Sequence, residues 1–189
     1  MTEHYNGYTI SLAYDQDASN PLTWTTPEER RAWFALRHKR YSLPFEIDAD
    51  TSDYHSWTEL ADAYSRTHGD MPYKFVRWYE HGGIAVSLCD HEGGQDWDAG
   101  IAGVIFGNTI ASIKASFAVW QAYVEGDVYT LTITAPDGNE VDSLCGLYGY
   151  DEALGCARWA IDADKQLTGA ARIRRYGRAH APRAQELHA

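Results

Sequence analysis

The side chains best suited to chemistry are concentrated in one acidic, glycine-rich stretch, residues 80–98: Glu80, His81, Cys89, Asp90, His91, Glu92, Asp96 and Asp98. Carboxylate, imidazole and thiolate groups are ordinary metal ligands. However, none of these residues has the close spacing of a CxxC or HExxH motif, which brings two ligands to one face. We therefore expect no metal or other cofactor and interpret the stretch as a solvated acidic loop.

The sequence gives little support for acid–base or nucleophilic catalysis. Asp96 and Asp98 in an extended Asp-Trp-Asp would point to the same side, which suits general acid–base catalysis, a bound cation or a plain turn. A nucleophilic Cys89 or Cys145 would need a nearby histidine to lower the pKa of its thiol, and a buried structural role is the simpler interpretation. The chain has no GxGxxG, P-loop or GxSxG motif, which argues against the common nucleotide enzymes. We assign no catalytic residue.

The elements around this stretch are predicted to be strands. Lys74–Tyr79 and Ile84–Leu88 are rich in β-branched and aromatic residues, and Gly82-Gly83 between them can form a tight hairpin turn. After the loop at 90–100, residues 101–106 form an apolar run with glycines, typical of a buried strand that another backbone approaches closely.

Periodicity and capping signals place the other elements. Alternation predicts a strand at Tyr8–Tyr14, and a second hairpin is predicted from Asp127–Ala135, a turn at 136–139 and Glu140–Leu144. Helices are predicted from Thr26 to Lys39, from Ser56 to Gly69, from Thr109 to Val124 and from Asp151 to Asp164. Trp120, on the helix from Thr109 to Val124, is expected to be buried in the protein core.

His38, Lys39 and Arg40 fall at the C-terminal end of the first predicted helix. Positive charge is favourable there because it faces the negative end of the macrodipole. The alternative interpretation of this cluster is contact with a phosphate or a carboxylate.

These elements predict an α+β fold, with a mostly antiparallel sheet of five or six strands made from two hairpins and an N-terminal strand, covered by three or four helices. We expect one domain over residues 1–164 and a basic extension over 165–189. Three cysteines in no paired spacing, an N-terminus without signal-peptide character and no apolar run of membrane-spanning length favour a cytosolic protein.

The charge is divided unevenly. Residues 165–189 hold six basic residues and one acid, whereas residues 1–164 hold 10 basic and 26 acidic residues, a net charge of −16. An acidic surface repels nucleic acid and attracts basic protein surfaces. Solubility alone is the simpler explanation of such a charge.

Several motifs occur in an order that resembles a family of uncharacterised proteins encoded by bacteriophages and plasmids. They are NP at 20–21, HKRYSL at 38–43, WYEHGGIAVS at 78–87, DWDAGIAGVIF at 96–106, GDVY at 126–129 and DSLCGLYG at 142–149. The resemblance covers about residues 8–164. It departs from the family at Glu80, Gly82, Leu144 and Cys145, where the family usually has Asp, Ser, Cys and Trp, and the loop before Asp96 lacks the family's usual Cys-Pro. The family has no established activity, so the resemblance implies a phage or mobile-element setting.

The function we predict is a non-enzymatic accessory protein that inhibits a host nucleic-acid-binding defence complex, of the anti-restriction or anti-CRISPR type, by presenting carboxylates in place of DNA phosphates. The predicted partner is thus a host protein complex with a basic surface, met in the host cytoplasm, with neither nucleic acid nor membrane bound directly. The predicted acidic contact surface is Asp48, Asp50, Asp53, Asp90, Glu92, Asp96 and Asp98.

Two alternatives stay open. One is a small enzyme or ligand-binding protein, metal-assisted or not, with its site around His81, Asp96, Asp98, Tyr129 and Tyr148. The other is a self-assembling protein in which the basic extension of one subunit docks on the acidic body of another.

Overall fold

The structure is a computed structural model that describes residues 1–24, 26, 29–93 and 99–166. These residues contain eight strands, three α-helices and two short 3-10 helices. In chain order the strands are β1 (Thr2–Tyr5), β2 (Tyr8–Tyr14), β3 (Ala32–Leu36), β4 (Tyr73–Glu80), β5 (Ile84–Cys89), β6 (Ala99–Gly107), β7 (Val128–Thr134) and β8 (Glu140–Tyr148). The helices are α1 (Trp57–Thr67), α2 (Ile110–Glu125) and α3 (Tyr150–Gln166), with 3-10 turns at Pro21–Thr23 and Thr51–Asp53.

The chain divides into two compact units. The terminal unit consists of Met1–Asp17 together with the residues from Val128 onward, and the inserted unit is Ala18–Asp127. Each unit contains one four-stranded antiparallel sheet. The α+β class and the antiparallel pairing are therefore confirmed, with the strands divided between two sheets. The assignment of residues 1–164 to one domain stays a prediction.

The terminal unit has strand order β1-β2-β7-β8 and packs α3 against its sheet. The predicted N-terminal strand, second hairpin and last helix are confirmed, because alternate residues of β2 and β7 are buried against one face of α3. The core consists of Tyr8, Ile10, Leu12, Tyr129, Leu131, Ile133, Ala153, Leu154, Ala157 and Ile161, among others. The basic extension beyond Gln166 lies outside the described residues.

The inserted unit has strand order β3-β6-β4-β5 and carries α1 and α2. The first hairpin, β4–β5, and the buried strand β6 are confirmed. Helix α2 begins at a capping box between Thr109 and Ser112 and ends at Gly126, whose left-handed φ of +74° glycine adopts without strain. Trp120 is buried in the core, as predicted.

The predicted helix over Thr26–Lys39 is wrong. Glu29 does bond back to the N–H and hydroxyl of Thr26, but this makes a local turn only, and the following residues form β3. Residues 32–36 are a nearly continuous apolar run that pairs with β6, and Phe34, Ala35 and Leu36 are fully buried. Burial on both faces of the chain favours a strand over an amphipathic helix. His38–Arg40 thus follow a strand, so the helix-end explanation of their charge does not hold.

Close backbone approach at β6 is confirmed at Gly103. A Cβ atom at this residue would lie 2.1 Å from the carbonyl oxygen of Ala35, and its φ is +151°. Glycine here allows β3 and β6 to pack directly against each other, which buries the strand that the apolar pattern predicted. None of the described helices is long and apolar enough to cross a membrane.

Candidate functional site

The sequence has a first acidic stretch at residues 44–55, which holds Glu46, Asp48, Asp50 and Asp53 and precedes α1. Ser56 caps this helix by accepting the N–H of Glu59. Glu92, from the stretch after β5, reaches the same place and accepts the backbone N–H groups of Trp57 at 3.1 Å and Thr58 at 2.8 Å. A cavity of about 300 Å³ is lined by Glu92 together with Thr51 and neighbouring residues of the first acidic stretch. Glu92 therefore lies beside the segment that carries Asp50 and Asp53.

We call Asp48, Asp50, Asp53, Asp90 and Glu92 the acidic face. The first four are exposed, and Glu92 is half-buried. Asp50 also caps the 3-10 turn by accepting the N–H of Ser52 at 2.9 Å, which lowers the pKa of its carboxyl group. Asp90 is paired with Lys74, and this hydrogen bond with the lysine charge lowers the pKa of Asp90.

Glu92 is held more firmly than its neighbours. Burial acts to raise the pKa of its carboxyl group, but hydrogen bonds from the Thr58 hydroxyl and from the N–H groups of Thr58 and Trp57 outweigh burial and lower it. The carboxylate thus completes the cap of α1 at the positive end of the helix. Its role in the fold is therefore to stabilise the start of α1.

Asp96 and Asp98, which belong both to the predicted contact surface and to the alternative site, lie outside the described residues. Of the other alternative-site residues, His81 is exposed at the β4–β5 turn of the inserted unit, whereas Tyr129 and Tyr148 belong to the terminal unit. Tyr129 is buried there and stacks on Tyr14, with ring centroids 5.3 Å apart. Among the described residues, no group of three or more His, Cys, Asp or Glu side chains is arranged to hold a metal ion.

His81 borders a pocket of about 540 Å³ in the inserted unit. The other side chains that give it character are His38 and Arg40 from the segment after β3, and Trp78 and Glu80 from β4. The first residues of β6, Ala99–Ala102, contribute small or aliphatic lining. We call this the His81 pocket.

An aromatic cluster supports one side of the His81 pocket. The rings of His38, Tyr41 and Trp78 form a triangle with centroids 5.1 to 5.2 Å apart. Oε1 of Glu80 accepts hydrogen bonds from Arg40 at 2.9 Å and from the Tyr41 hydroxyl at 3.1 Å. The bond to Glu80, with lesser effects of burial and the glutamate charge, raises the pKa of Tyr41. These contacts fix the segment after β3 against β4.

Sequence patterns identified only part of this pocket. Glu80 and His81 are among the side chains that the sequence marks as suited to chemistry. Glu80 proves to be the last residue of β4, two residues after Trp78, so the two side chains share one face of the strand. The sequence predicts His38 and Arg40 at the C-terminal end of a helix that does not form, and their place beside Trp78 depends on the pairing of β3 with β6. The alternative interpretation of these basic residues, contact with an anion, remains open.

No family model, curated protein or solved structure matches this chain.

Proposed function

We propose that this chain is a non-enzymatic binding protein whose acidic face engages a positively charged surface on a partner protein. One observation carries the proposal: Glu92, which is far along the chain from Asp50 and Asp53, contacts Trp57 and Thr58 at the N-terminus of α1, beside the segment that holds these two aspartates. Four of the five carboxylates are exposed. Association through such a surface is steered by charge and weakens as salt screens it.

The partner we propose is a host complex that binds nucleic acid. A groove built for phosphates is lined with Lys and Arg, and an array of carboxylates can occupy it in place of DNA. The resemblance to proteins of phages and plasmids favours a defence complex, of the restriction or CRISPR type, met in the host cytoplasm. The net charge of −16 over residues 1–164 supports binding to a positively charged partner.

Asp48, Asp50 and Asp53 are the residues to test. They are exposed on one short segment, and replacing each by asparagine removes its charge while keeping its shape. Asparagine is as good a cap as aspartate, so the 3-10 turn at Asp50 is preserved. Asp90 and Glu92 are less suitable, because their loss would also remove the contact with Lys74 and the cap of α1.

The experiment is a pull-down from a host lysate with the full chain as bait, at about 0.1 M and about 0.5 M NaCl. The triple variant D48N/D50N/D53N is compared with D17N/E140Q/D151N, which removes three exposed carboxylates from the terminal unit. Retained proteins are identified by mass spectrometry, and the beads are then washed with duplex DNA as a competitor.

We expect a nucleic-acid-binding complex that the wild type and the control variant retain at low salt. It should be released by high salt and by DNA, and the acidic-face variant should fail to retain it. The proposal is contradicted if the acidic-face variant and the control variant retain the complex equally. It is also contradicted if the DNA wash does not release the complex.

A second candidate function is binding of a small ligand around His81. The observation in its favour is the His81 pocket, whose volume is within the range of small-molecule sites.

A further inference from the structure

We propose that the His81 pocket binds a planar aromatic ligand that carries an anionic oxygen group, with a nucleoside monophosphate as the simplest example. This inference deepens the second candidate function and is independent of the acidic face. It starts from the side chains that line the pocket: two imidazoles, a guanidinium, an indole and a carboxylate around small backbone-exposing residues.

Arg40 supplies the site for the anionic group. Its side chain is 73% exposed, and only Nη1 is engaged by Glu80 among the contacts the structure describes. The remaining N–H donors of the guanidinium can therefore bind phosphate or carboxylate oxygens, for which its planar fork is well suited. This fits the anion-contact interpretation of the basic cluster at 38–40, with the helix-end explanation removed.

His38 adds a donor whose tautomer is set by the fold. The backbone N–H of Arg40 donates to Nδ1 of His38 at 3.3 Å. In the neutral ring Nδ1 is then the acceptor, so the proton is on Nε2. The ring of His38 is itself stacked on Trp78 at an interplanar angle of 27°. A planar ligand can extend this stack, which is a usual way to bind a nucleobase.

Trp78 brings an unpartnered hydrogen-bond donor close to the pocket. Its side chain is 4% exposed, and its Nε1–H is buried without an acceptor among the residues that the structure describes. A buried donor with no partner is costly, and a buried tryptophan N–H usually finds one. Trp78 lines the pocket, but other atoms cover this N–H, so a ligand oxygen or ring nitrogen can accept it only when a lining side chain shifts on binding.

Glu80 can bind hydrogen-bond donors on a ligand that also carries an anionic group. Its Oε1 accepts both described hydrogen bonds, so Oε2 is available to an amino or hydroxyl group. The charges of Arg40 and Glu80 offset each other, which makes the pocket selective for ligands with mixed polarity over simple anions. It also makes binding modest, because an incoming anion competes with Glu80 for Arg40.

Gly100 leaves open space in the pocket that a ligand can occupy. A Cβ added there would meet no atom within 4 Å, although Gly100 lines the pocket and pairs with Trp78. A leucine at this position is therefore compatible with the strand and would occupy the space of the ligand. This residue allows the pocket to be closed without removing any of its polar groups.

The test is isothermal titration calorimetry on the full chain. The probes are AMP, GMP, CMP and UMP, the matching nucleosides, and indole-3-carboxylate, which replaces phosphate by carboxylate. Gly100→Leu fills the pocket, and Gly155→Leu places the same side chain in open space on α3 as its control. Arg40→Gln removes the proposed anion contact, and Arg66→Gln removes an exposed arginine of α1.

We expect at least one monophosphate or the carboxylate to bind in a 1:1 ratio, and the matching nucleoside to bind about tenfold more weakly or not at all. Gly100→Leu should abolish binding, and Arg40→Gln should weaken it about tenfold, because it removes a charge-assisted hydrogen bond. Both controls should bind as the wild type does. Binding of the monophosphates alone, or of the carboxylate alone, identifies the anionic group.

Three results would overturn the inference. If no probe binds at millimolar concentration, the second candidate function fails with it. If a probe binds but Gly100→Leu leaves its affinity unchanged, the ligand site lies elsewhere. If nucleosides bind as tightly as their monophosphates, or Arg40→Gln has no effect, the anionic group is not recognised. Retention of a partner by the acidic face is unaffected by any of these outcomes.

Discussion

Replacing Glu92 by glutamine should lower the stability of the inserted unit at neutral pH. The carboxylate accepts the N–H groups of Trp57 and Thr58 and the hydroxyl of Thr58. Glutamine keeps one acceptor oxygen, so at least one of these charge-assisted bonds is lost, together with the attraction between a negative charge and the helix N-terminus. A hydrogen bond to a charged group contributes about 1.5–3 kcal/mol and the helix-end charge about 0.3–1 kcal/mol. Because Glu92 is half-buried, we expect the lower part of the range, about 2 kcal/mol.

The effect should depend on pH with a definite sign. The pKa of Glu92 is lower in the folded chain than its ordinary value of 4.5. A carboxyl group with a depressed pKa contributes stability that is present above the unfolded pKa and is lost as pH falls through the folded pKa. The difference between wild type and Glu92→Gln should therefore be full at pH 7, begin to shrink below 4.5 and be largely gone once Glu92 is protonated.

Urea denaturation followed by circular dichroism, repeated across this pH range, measures the difference. Hydrogen exchange of the α1 amides locates it, since loss of a cap should increase exchange in the first turn of α1 before other elements respond. Glu140→Gln on an exposed position of β8 is the matched control, and it should change stability by less than about 0.5 kcal/mol. Equal stability of Glu92→Gln and wild type at pH 7, or a loss that persists unchanged in acid, would refute the capping role.

Three further substitutions test the packing of the inserted unit by the same denaturation assay. Gly103→Ala should cost more than about 3 kcal/mol or prevent folding, because its Cβ would overlap the carbonyl oxygen of Ala35; wild-type stability would show that β3 and β6 can separate freely. Glu46→Gln should cost about 3 kcal/mol, because it removes the negative charge that compensates the largely buried guanidinium of Arg30. Glu80→Gln removes the charge of a more exposed pair and should cost under about 1 kcal/mol. Equal losses at the two positions would contradict the role given to burial.

Elements with local signals could be predicted from the sequence. The Gly82-Gly83 turn between two β-rich runs predicts β4 and β5, and Ser56 followed by Glu59 predicts the start of α1. In both cases the residues that decide the structure are within a few positions of each other. A missed element had such a signal too: Asn6-Gly7, with φ of +56° and +87°, is a strong hairpin turn, and it pairs β1 with β2.

Elements decided by distant residues could not be predicted in the same way. Thr26 and Glu29 satisfy a helix start, yet residues 32–36 become a strand because Gly103, far along the chain, allows β6 to lie directly beside Ala35. The His81 pocket depends on the same pairing, since β3 delivers His38 and Arg40 to Trp78. The division of the strands between two sheets likewise reflects which strands pair, and local periodicity does not encode that choice.

In the chain, the inserted unit separates β2 from β7, two strands of the terminal unit that pair with each other. This order affects how the protein folds during synthesis. Strands β2 and β7 pair with Tyr14 opposite Tyr129, and the N–H of Asp15 donates to the carbonyl of Val128 at 2.8 Å, although Ala18–Asp127 separate them in the chain. A nascent chain emerging from the ribosome therefore completes the whole inserted unit before β7 exists. Until then β1 and β2 form at most an isolated hairpin, which is marginally stable in water. Closure of the terminal sheet is the late, long-range step of folding, and a chain released before residue 128 ends with two strands that have no sheet to join.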